Sequence, residues 1–237
     1  MNYAAPSFSA IANSSAKPAR KGVSNRCLIK SIALRREIPF LVHFTPIENL
    51  ATILRYGLLS RERLEALGIR YYYNDTLRLD GHLNATSLSI AYPNEPMFHD
   101  CRKRARVQGW VVLIIDPSVL WENNNIFCKY NATSKTVRNM SRGFLQTARA
   151  FENMFEARTP NDRFGLNEND PTYLQAEVMT FDDIHPSKIW AAEFTDTALA
   201  QYYQPYLEQQ GKGCLVDQFN FFYRRAFART PKHLFQL

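Results

Sequence analysis

The stretch that says most about the fold is residues 38–57, IPFLVHFTPIENLATILRYG. It opens with a mainly apolar run, which is typical of a strand. Thr45, Pro46 and Glu48 then form the pattern of a helix start, with a capping threonine, a proline in the first position and an acidic residue in the third. Apolar residues recur at helical spacing until Gly57. The sequence therefore predicts a strand that leads directly into a short amphipathic helix ending at Gly57.

The elements that follow show neither a regular strand–helix alternation nor a glycine-rich phosphate loop. This order disfavours Rossmann and P-loop folds and predicts an α+β domain, with antiparallel strands packed against helices. Residues 1–35 are expected to be a flexible or loosely docked arm before one domain at 36–237. The predicted strands are Ala85–Ala91, Trp110–Ile115, Ile126–Tyr130, Tyr173–Phe181 and Lys188–Phe194, and the predicted helices are 60–67, 96–106, 142–157 and 195–209.

The composition describes a folded, basic chain. Its 237 residues are 46% hydrophobic and 22% charged, as in globular proteins, and no apolar run is long enough to span a bilayer. The N-terminus is a poor signal peptide, and the four cysteines are too scattered for a zinc site or a disulfide framework. We therefore expect a cytoplasmic protein without a metal. The net charge of +7 suggests a polyanionic partner.

Three polar segments are candidates for chemistry, each with a plainer alternative. His43 and Thr45 lie at the strand-to-helix junction, where a ligand could bind, although the histidine could instead bond its own turn. Arg78 could grip a pyrophosphate, or it could be a surface arginine beside a turn. Glu177 is a lone carboxylate in an apolar strand, which is unusual unless it is functional, although it could face solvent.

In their order and spacing these segments resemble the DarT family of DNA-targeting ADP-ribosyltransferases, the toxins of toxin–antitoxin pairs. The matching motifs span about residues 38–194. The stretch 78–94 looks closest to the branch of the family that modifies guanine rather than thymine. The motifs are VHFT at 42–45, RLDGH at 78–82, SLSI at 87–90 and QAEV at 175–178.

The resemblance implies a fold and a set of roles. The fold would be a split, mostly antiparallel β core with flanking helices and NAD⁺ in a central cleft. His43 and Thr45 would contact the nicotinamide side of NAD⁺, Asn49 would shape the pocket, and Arg78 would bind the phosphates. Glu177 would be the central catalytic residue, bonding the ribose 2′-hydroxyl. His43 and Arg78 would assist it.

The chemistry of the reaction agrees with these roles. Breaking the nicotinamide–ribose bond develops positive charge on the ribose, which a fixed carboxylate stabilises. Glu177 would also accept the proton of the attacking base nitrogen. Gln175, two positions earlier in the predicted strand, would lie on the same face and contact substrate or a neighbouring nucleotide. The reaction requires no metal.

Single-stranded DNA is the expected acceptor, because its bases need not be unpaired before they react. Basic residues interleaved with aromatic ones are typical of single-strand binding. Phe151 and Phe155 are nevertheless better interpreted as helix core. The resemblance also implies target recognition by the loop at 161–172. The candidate DNA-binding residues are Gln175 with Arg138, Arg142, Arg149 and Arg158.

Other readings remain open. The resemblance implies a toxic pentosyltransferase that acts in phage defence, and hence an antitoxin that removes ADP-ribose from DNA. We expect the toxin itself to be a monomer. One alternative is an ADP-ribosyltransferase or 2′-phosphotransferase that acts on RNA or protein. Another is a non-enzymatic, basic nucleic-acid-binding module. That module would explain the charge but not the order of the motifs, and NAD⁺ consumption separates it from the enzymes.

Overall fold

The computed structural model describes residues 23–72, 83–104 and 107–225. Strands and helices follow one another in mixed order through these ranges. The strands are β1 (Leu41–Pro46), β2 (Thr86–Ile90), β3 (Trp110–Ile115), β4 (Asn125–Cys128), β5 (Glu177–Thr180), β6 (Ile189–Phe194) and β7 (Gly213–Val216). The helices are α1 (Asn25–Arg35), α2 (Leu50–Tyr56), α3 (Arg61–Ala66), α4 (Glu95–Arg104), α5 (Val119–Glu122), α6 (Lys135–Arg138), α7 (Arg142–Leu145), α8 (Ala148–Asn153) and α9 (Thr197–Gln209).

The strands form one sheet in the order β4-β5-β2-β1-β3-β6-β7. Every neighbouring pair is antiparallel except β6 and β7, which run parallel. The predicted α+β class with a mostly antiparallel sheet and flanking helices is therefore confirmed.

The sheet is split between β1 and β2. These strands pair only through Leu41 with Ile90 and Val42 with Ser89, whereas β1 pairs with β3 along all six of its residues. The first half of β2, Thr86–Leu88, pairs with β5 instead. Beyond the short β1–β2 contact, the two halves of the sheet are therefore not joined by a backbone ladder, which leaves room for a cleft.

The main hydrophobic core packs the sheet against helices α1, α2, α5, α8 and α9. Ile29, Ile32 and Ala33 of α1 are buried in it. Part of the expected arm at 1–35 is thus a helix docked on the domain, while residues 1–22 lie outside the described ranges. Across those ranges no helix is long and apolar enough to cross a membrane, and no group of three or more His, Cys, Asp or Glu side chains could hold a metal ion.

The predicted helix cap at Thr45 is wrong. Thr45 and Pro46 remain in β1, opposite Val111 and Trp110, and a 3-10 turn precedes α2. The side chain of Glu48 does not close a capping box, because its carboxylate accepts a hydrogen bond from the backbone N–H of Gln108. The six-residue pairing with β3 thus keeps Thr45 extended.

The predicted end of the helix at Gly57 is confirmed. Gly57 has a φ of +89°, a conformation that other residues rarely adopt. A Cβ at this position would also collide with the carbonyl oxygen of Ile184, which accepts a hydrogen bond from the backbone N–H of Leu58. Glycine is therefore required both by the turn and by the close approach of the two chain segments.

Candidate active site

A cleft opens where β1 and β2 separate. It encloses about 1090 Å³ of empty space, part of which is open to solvent. Four of the residues predicted from the sequence line it together: His43, Thr45, Asn49 and Glu177. The fifth, Arg78, lies outside the described residues. The cleft thus unites polar groups from β1, β5 and the turn before α2.

Glu177 is the first residue of β5 and is only 4% exposed. Ser87 and Ala132, both among the described residues, donate to its side chain. The hydroxyl of Ser87 donates to Oε2 at 2.8 Å, and the backbone N–H of Ala132 donates to Oε1 at 3.3 Å. The solvent-facing alternative for Glu177 is therefore wrong: the carboxyl group is buried and both of its oxygens are fixed in place. Ser87 belongs to the SLSI motif at 87–90, but no role was predicted for it from the sequence.

His43 bridges the gap between the separated strands. Its Nδ1 lies 2.9 Å from the carbonyl oxygen of Ser87. Because a carbonyl can only accept, Nδ1 must carry the hydrogen, and in the neutral ring Nε2 is then the acceptor nitrogen. The ring bonds the neighbouring strand rather than its own turn. Ser87 therefore contacts His43 through its carbonyl group and Glu177 through its hydroxyl.

Asn49 fixes one wall of the cleft. Its side-chain amide donates to Thr45 Oγ1 at 2.9 Å and to the carbonyl oxygen of Tyr72 at 2.7 Å, and its oxygen accepts from the backbone N–H of Tyr72 at 2.8 Å. Tyr71 and Tyr72 both line the cleft. Asn49 therefore holds the segment at 71–72 in place, while its predicted role in NAD⁺ binding stays a prediction.

A model of the family described as "ssDNA thymidine ADP-ribosyltransferase, DarT" matches residues 42–219, more than half of the chain. The chain belongs to the DarT family. This confirms the family indicated by the motifs at 42–45, 87–90 and 175–178. No curated protein sequence matches the chain.

Solved DarT structures have the same fold. A Thermosipho africanus DarTG in complex with ADP-ribose matches with a TM-score of 0.54 and 14% identity, over 78% of this chain and 51% of that one. This chain therefore spans about half the length of the Thermosipho protein. Thermus sp. 2.9 DarT matches with 14% identity over 79% of this chain, with TM-scores of 0.51 for its complex with NAD⁺ and 0.50 for its complex with ADP-ribosylated ssDNA. The matches cover 98% and 97% of those Thermus chains.

In this member of the DarT family, Gln175 does not share a strand face with Glu177. β5 begins only at Glu177, and Gln175 lies in the preceding turn, where it is exposed. A hydrogen bond from the backbone N–H of Ala176 to the carbonyl oxygen of Tyr173 closes that turn. The geometric basis of the predicted role for Gln175 is therefore wrong, although its exposure is compatible with contact to a nucleotide.

Two arginines hold the loop that precedes Glu177. Arg163 donates through Nη1 to the carbonyl oxygen of Asp170 at 3.0 Å and to the hydroxyl of Thr172 at 3.1 Å. Arg225 is only 6% exposed and donates to the carbonyl oxygens of Pro171 and Thr172 at 2.9 and 3.4 Å. Neither arginine was predicted from the sequence. Arg225 is remote in the chain, and no local pattern connects it with this loop.

The four predicted DNA-binding arginines lie in different surroundings. Arg138 is exposed, and the guanidinium of Arg142 stacks 3.9 Å from the Phe181 ring, beyond the end of β5 remote from Glu177. Arg149 is paired with Glu156 at 3.0 Å. Arg158 donates to the hydroxyl of Tyr130 at 3.1 Å. Tyr130 follows Cys128 by two residues, and Cys128 pairs with Glu177 in the sheet. Phe151 of α8 is buried, which confirms it as helix core, whereas Phe155 is buried in the turn that follows α8 and so belongs to the core but not to a helix.

Proposed function

We propose that this chain is an NAD-dependent mono-ADP-ribosyltransferase that modifies a base of single-stranded DNA, with Glu177 as its central catalytic residue. The observation that carries the proposal is the buried carboxyl group of Glu177, fixed by Ser87 and Ala132 at a cleft that also holds His43 and Asn49. The family to which the chain belongs supports the activity. So do the solved Thermus relatives, which contain NAD⁺ or ADP-ribosylated ssDNA.

The fixed carboxylate suits the chemistry of this transfer. The bond between ribose and nicotinamide breaks, its electron pair leaves with nicotinamide, and positive charge develops on the sugar. A carboxylate that is already oriented stabilises this charge without reorganising during the reaction. A nitrogen of the base then bonds to the ribose carbon and loses its proton, for which Glu177 is the general base. His43 and Thr45 would bind the nicotinamide side and Arg78 the phosphates.

Guanine is the base that we propose, because residues 78–94 resemble the guanine-modifying branch. The description of the family model names thymidine instead, so thymine is the competing target. Base modification of this kind would be toxic to the cell that makes the enzyme. We therefore also propose a toxin–antitoxin role, with a glycohydrolase that removes ADP-ribose from DNA as the neutralising partner, and a monomeric toxin in the cytoplasm.

The test is to incubate the purified protein with NAD⁺ and single-stranded oligonucleotides that differ in base content, and to read the products by intact mass. We expect the mass of one ADP-ribose on strands that contain guanine, and its loss in the Glu177→Gln variant. Modification of strands whose only candidate base is thymine would support the enzymatic activity but refute guanine as the modified base. Loss of NAD⁺ without a DNA adduct would point to RNA or protein, and unchanged NAD⁺ to a binding module.

A further inference from the structure

The two oxygens of Glu177 are bonded to different parts of the protein. Oε2 accepts from Ser87, which lines the cleft. Oε1 accepts from the backbone of Ala132, in the segment that follows β4. Within the described part of the chain, the cleft lining includes neither Ala132 nor its neighbours Lys129 and Tyr130. Glu177 therefore lies between the cleft and a second surface, formed by the segment after β4 and the turn before β5.

Two tyrosines and two cations form this second surface, which we name the Tyr130–Tyr173 surface after its aromatic pair. The two rings lie 4.6 Å apart between centroids, at an interplanar angle of 50°. The guanidinium of Arg158 donates to the hydroxyl of Tyr130 at 3.1 Å, and the ammonium of Lys129 lies 5.6 Å from the centroid of the Tyr173 ring. The surface is close to Glu177, because Cys128 pairs with Glu177 in the β4–β5 ladder.

The surface has a positive charge balance. Neither Lys129 nor Arg158 forms an ion pair with a carboxylate of any described residue. Besides Glu177, Asp162 is an acidic neighbour, and its carboxylate accepts from the backbone N–H of Arg158 and from the hydroxyl of Thr159. Cations beside aromatic rings are the combination that holds single-stranded nucleic acid, because the rings stack with bases while the cations contact phosphates.

We propose that the Tyr130–Tyr173 surface binds the acceptor strand, with a base stacked on the tyrosine pair and the backbone phosphates at Lys129 and Arg158. This inference rests on the proposed function and adds where the acceptor binds. The strand reaches Glu177 from the side of Ala132, while NAD⁺ occupies the cleft on the side of Ser87. The surface therefore governs binding of the strand and leaves binding of NAD⁺ unaffected.

The test uses the Tyr130→Leu and Arg158→Gln variants of the full chain, with steady-state transfer to a single-stranded oligonucleotide. Loss of one stacked base should raise the oligonucleotide KM by about 5- to 150-fold. The KM for NAD⁺ and the slow hydrolysis of NAD⁺ without DNA should stay within twofold of the wild type. Tyr130→Phe keeps the ring and should restore the oligonucleotide KM. For Arg158→Gln, the slope of log affinity against log salt should fall by about 0.7.

The matched control is Tyr206→Leu, which removes a tyrosine that is 53% exposed on α9, a helix that packs against β6 and β7. It should change neither KM. Wild-type protein that modifies no oligonucleotide would refute the proposed function itself. If the wild type is active and Arg158→Gln leaves the oligonucleotide KM and the salt slope unchanged, the inference is overturned. It is also overturned if Tyr130→Leu lowers NAD⁺ hydrolysis and DNA transfer equally. Arg158 is exposed, so its variant tests the surface even if Tyr130→Leu fails to fold.

Discussion

Replacing Ser87 by alanine should slow catalysis through Glu177. The Ser87 hydroxyl donates to Oε2 of Glu177 at 2.8 Å, and the backbone N–H of Ala132 makes a longer bond of 3.3 Å to the other oxygen. A hydrogen bond to a charged group contributes about 1.5–3 kcal/mol. If the transition state, in which the carboxylate stabilises the positive charge on the ribose, loses this energy, kcat/KM should fall by about 10- to 150-fold. The KM for NAD⁺ should change little, because the loss acts on the transition state.

The assay is initial-rate transfer to the oligonucleotide identified with the wild-type protein, for Ser87→Ala, Glu177→Gln and the double variant. If Ser87 acts through Glu177, the two effects will not add. In the Glu177→Gln background, Ser87→Ala should then cost less than threefold, about 0.6 kcal/mol. Ser118→Ala is the matched control. It removes a buried serine hydroxyl that accepts from Lys188 at 2.6 Å, so it tests the general cost of such a deletion.

Full additivity of Ser87→Ala with Glu177→Gln would refute the reasoning, because it would show that the hydroxyl contributes independently of the carboxyl group. An equal loss of activity in Ser118→Ala would refute it as well, since the effect would then be one of folding. Melting temperatures of all four variants separate the two causes.

Two further predictions concern the cleft wall and the attachment of α1. Asn49→Ala should raise the KM for NAD⁺ by about 5- to 30-fold, a loss of about 1–2 kcal/mol in binding, with a smaller change in kcat. The reason is that the backbone of Tyr72 loses both of its bonds to Asn49. A steady-state titration with NAD⁺ checks this, and a fall in kcat alone would contradict it. Burial by itself would raise the pKa of Glu152, but hydrogen bonds and charges of Arg36 and Arg35 lower that pKa below its ordinary value of 4.5. The folded state therefore binds this proton less tightly than the unfolded chain does, so the stabilisation is present above pH 4.5 and is lost as the pH falls through the folded-state pKa. Melting curves between about pH 6 and 3 should show a smaller acid-induced fall in Tm for Glu152→Gln than for the wild type.

Elements whose partners bury them on both faces were predictable from the sequence. The predicted strand Trp110–Ile115 matches β3 at both ends, because a central strand between β1 and β6 is apolar along its whole length. Helix 142–157, by contrast, is two helices. The hydroxyl of Thr147 accepts from the backbone N–H of Ala150 and caps α8, so the chain starts a new helix inside a stretch of helical composition.

The start of β5 could not be predicted from the local pattern. Residues 173–181 alternate like a strand, but β4 and β2 supply partners only from Glu177 to Thr180. The backbone carbonyls of Pro171 and Thr172, ahead of the strand, bond Arg225 instead. A strand extends as far as another strand pairs with it, and that limit is set by residues far away in the sequence.

Strand pairing also determines how Glu177 and His43 are connected, which the motifs that contain them could not predict. In a continuous β1–β2 ladder, the carbonyl group of Ser87 would accept from a backbone N–H of β1. Here the imidazole of His43 takes that bond, and the Ser87 hydroxyl is directed to Glu177. A strand pattern fits a continuous sheet and a split sheet equally well, because both bury the same apolar residues. The split sheet differs from the continuous one in that a side chain, at position 43, replaces a backbone donor. The cleft and the orientation of the Glu177 carboxyl group therefore have a common origin in the pairing between β1 and β2.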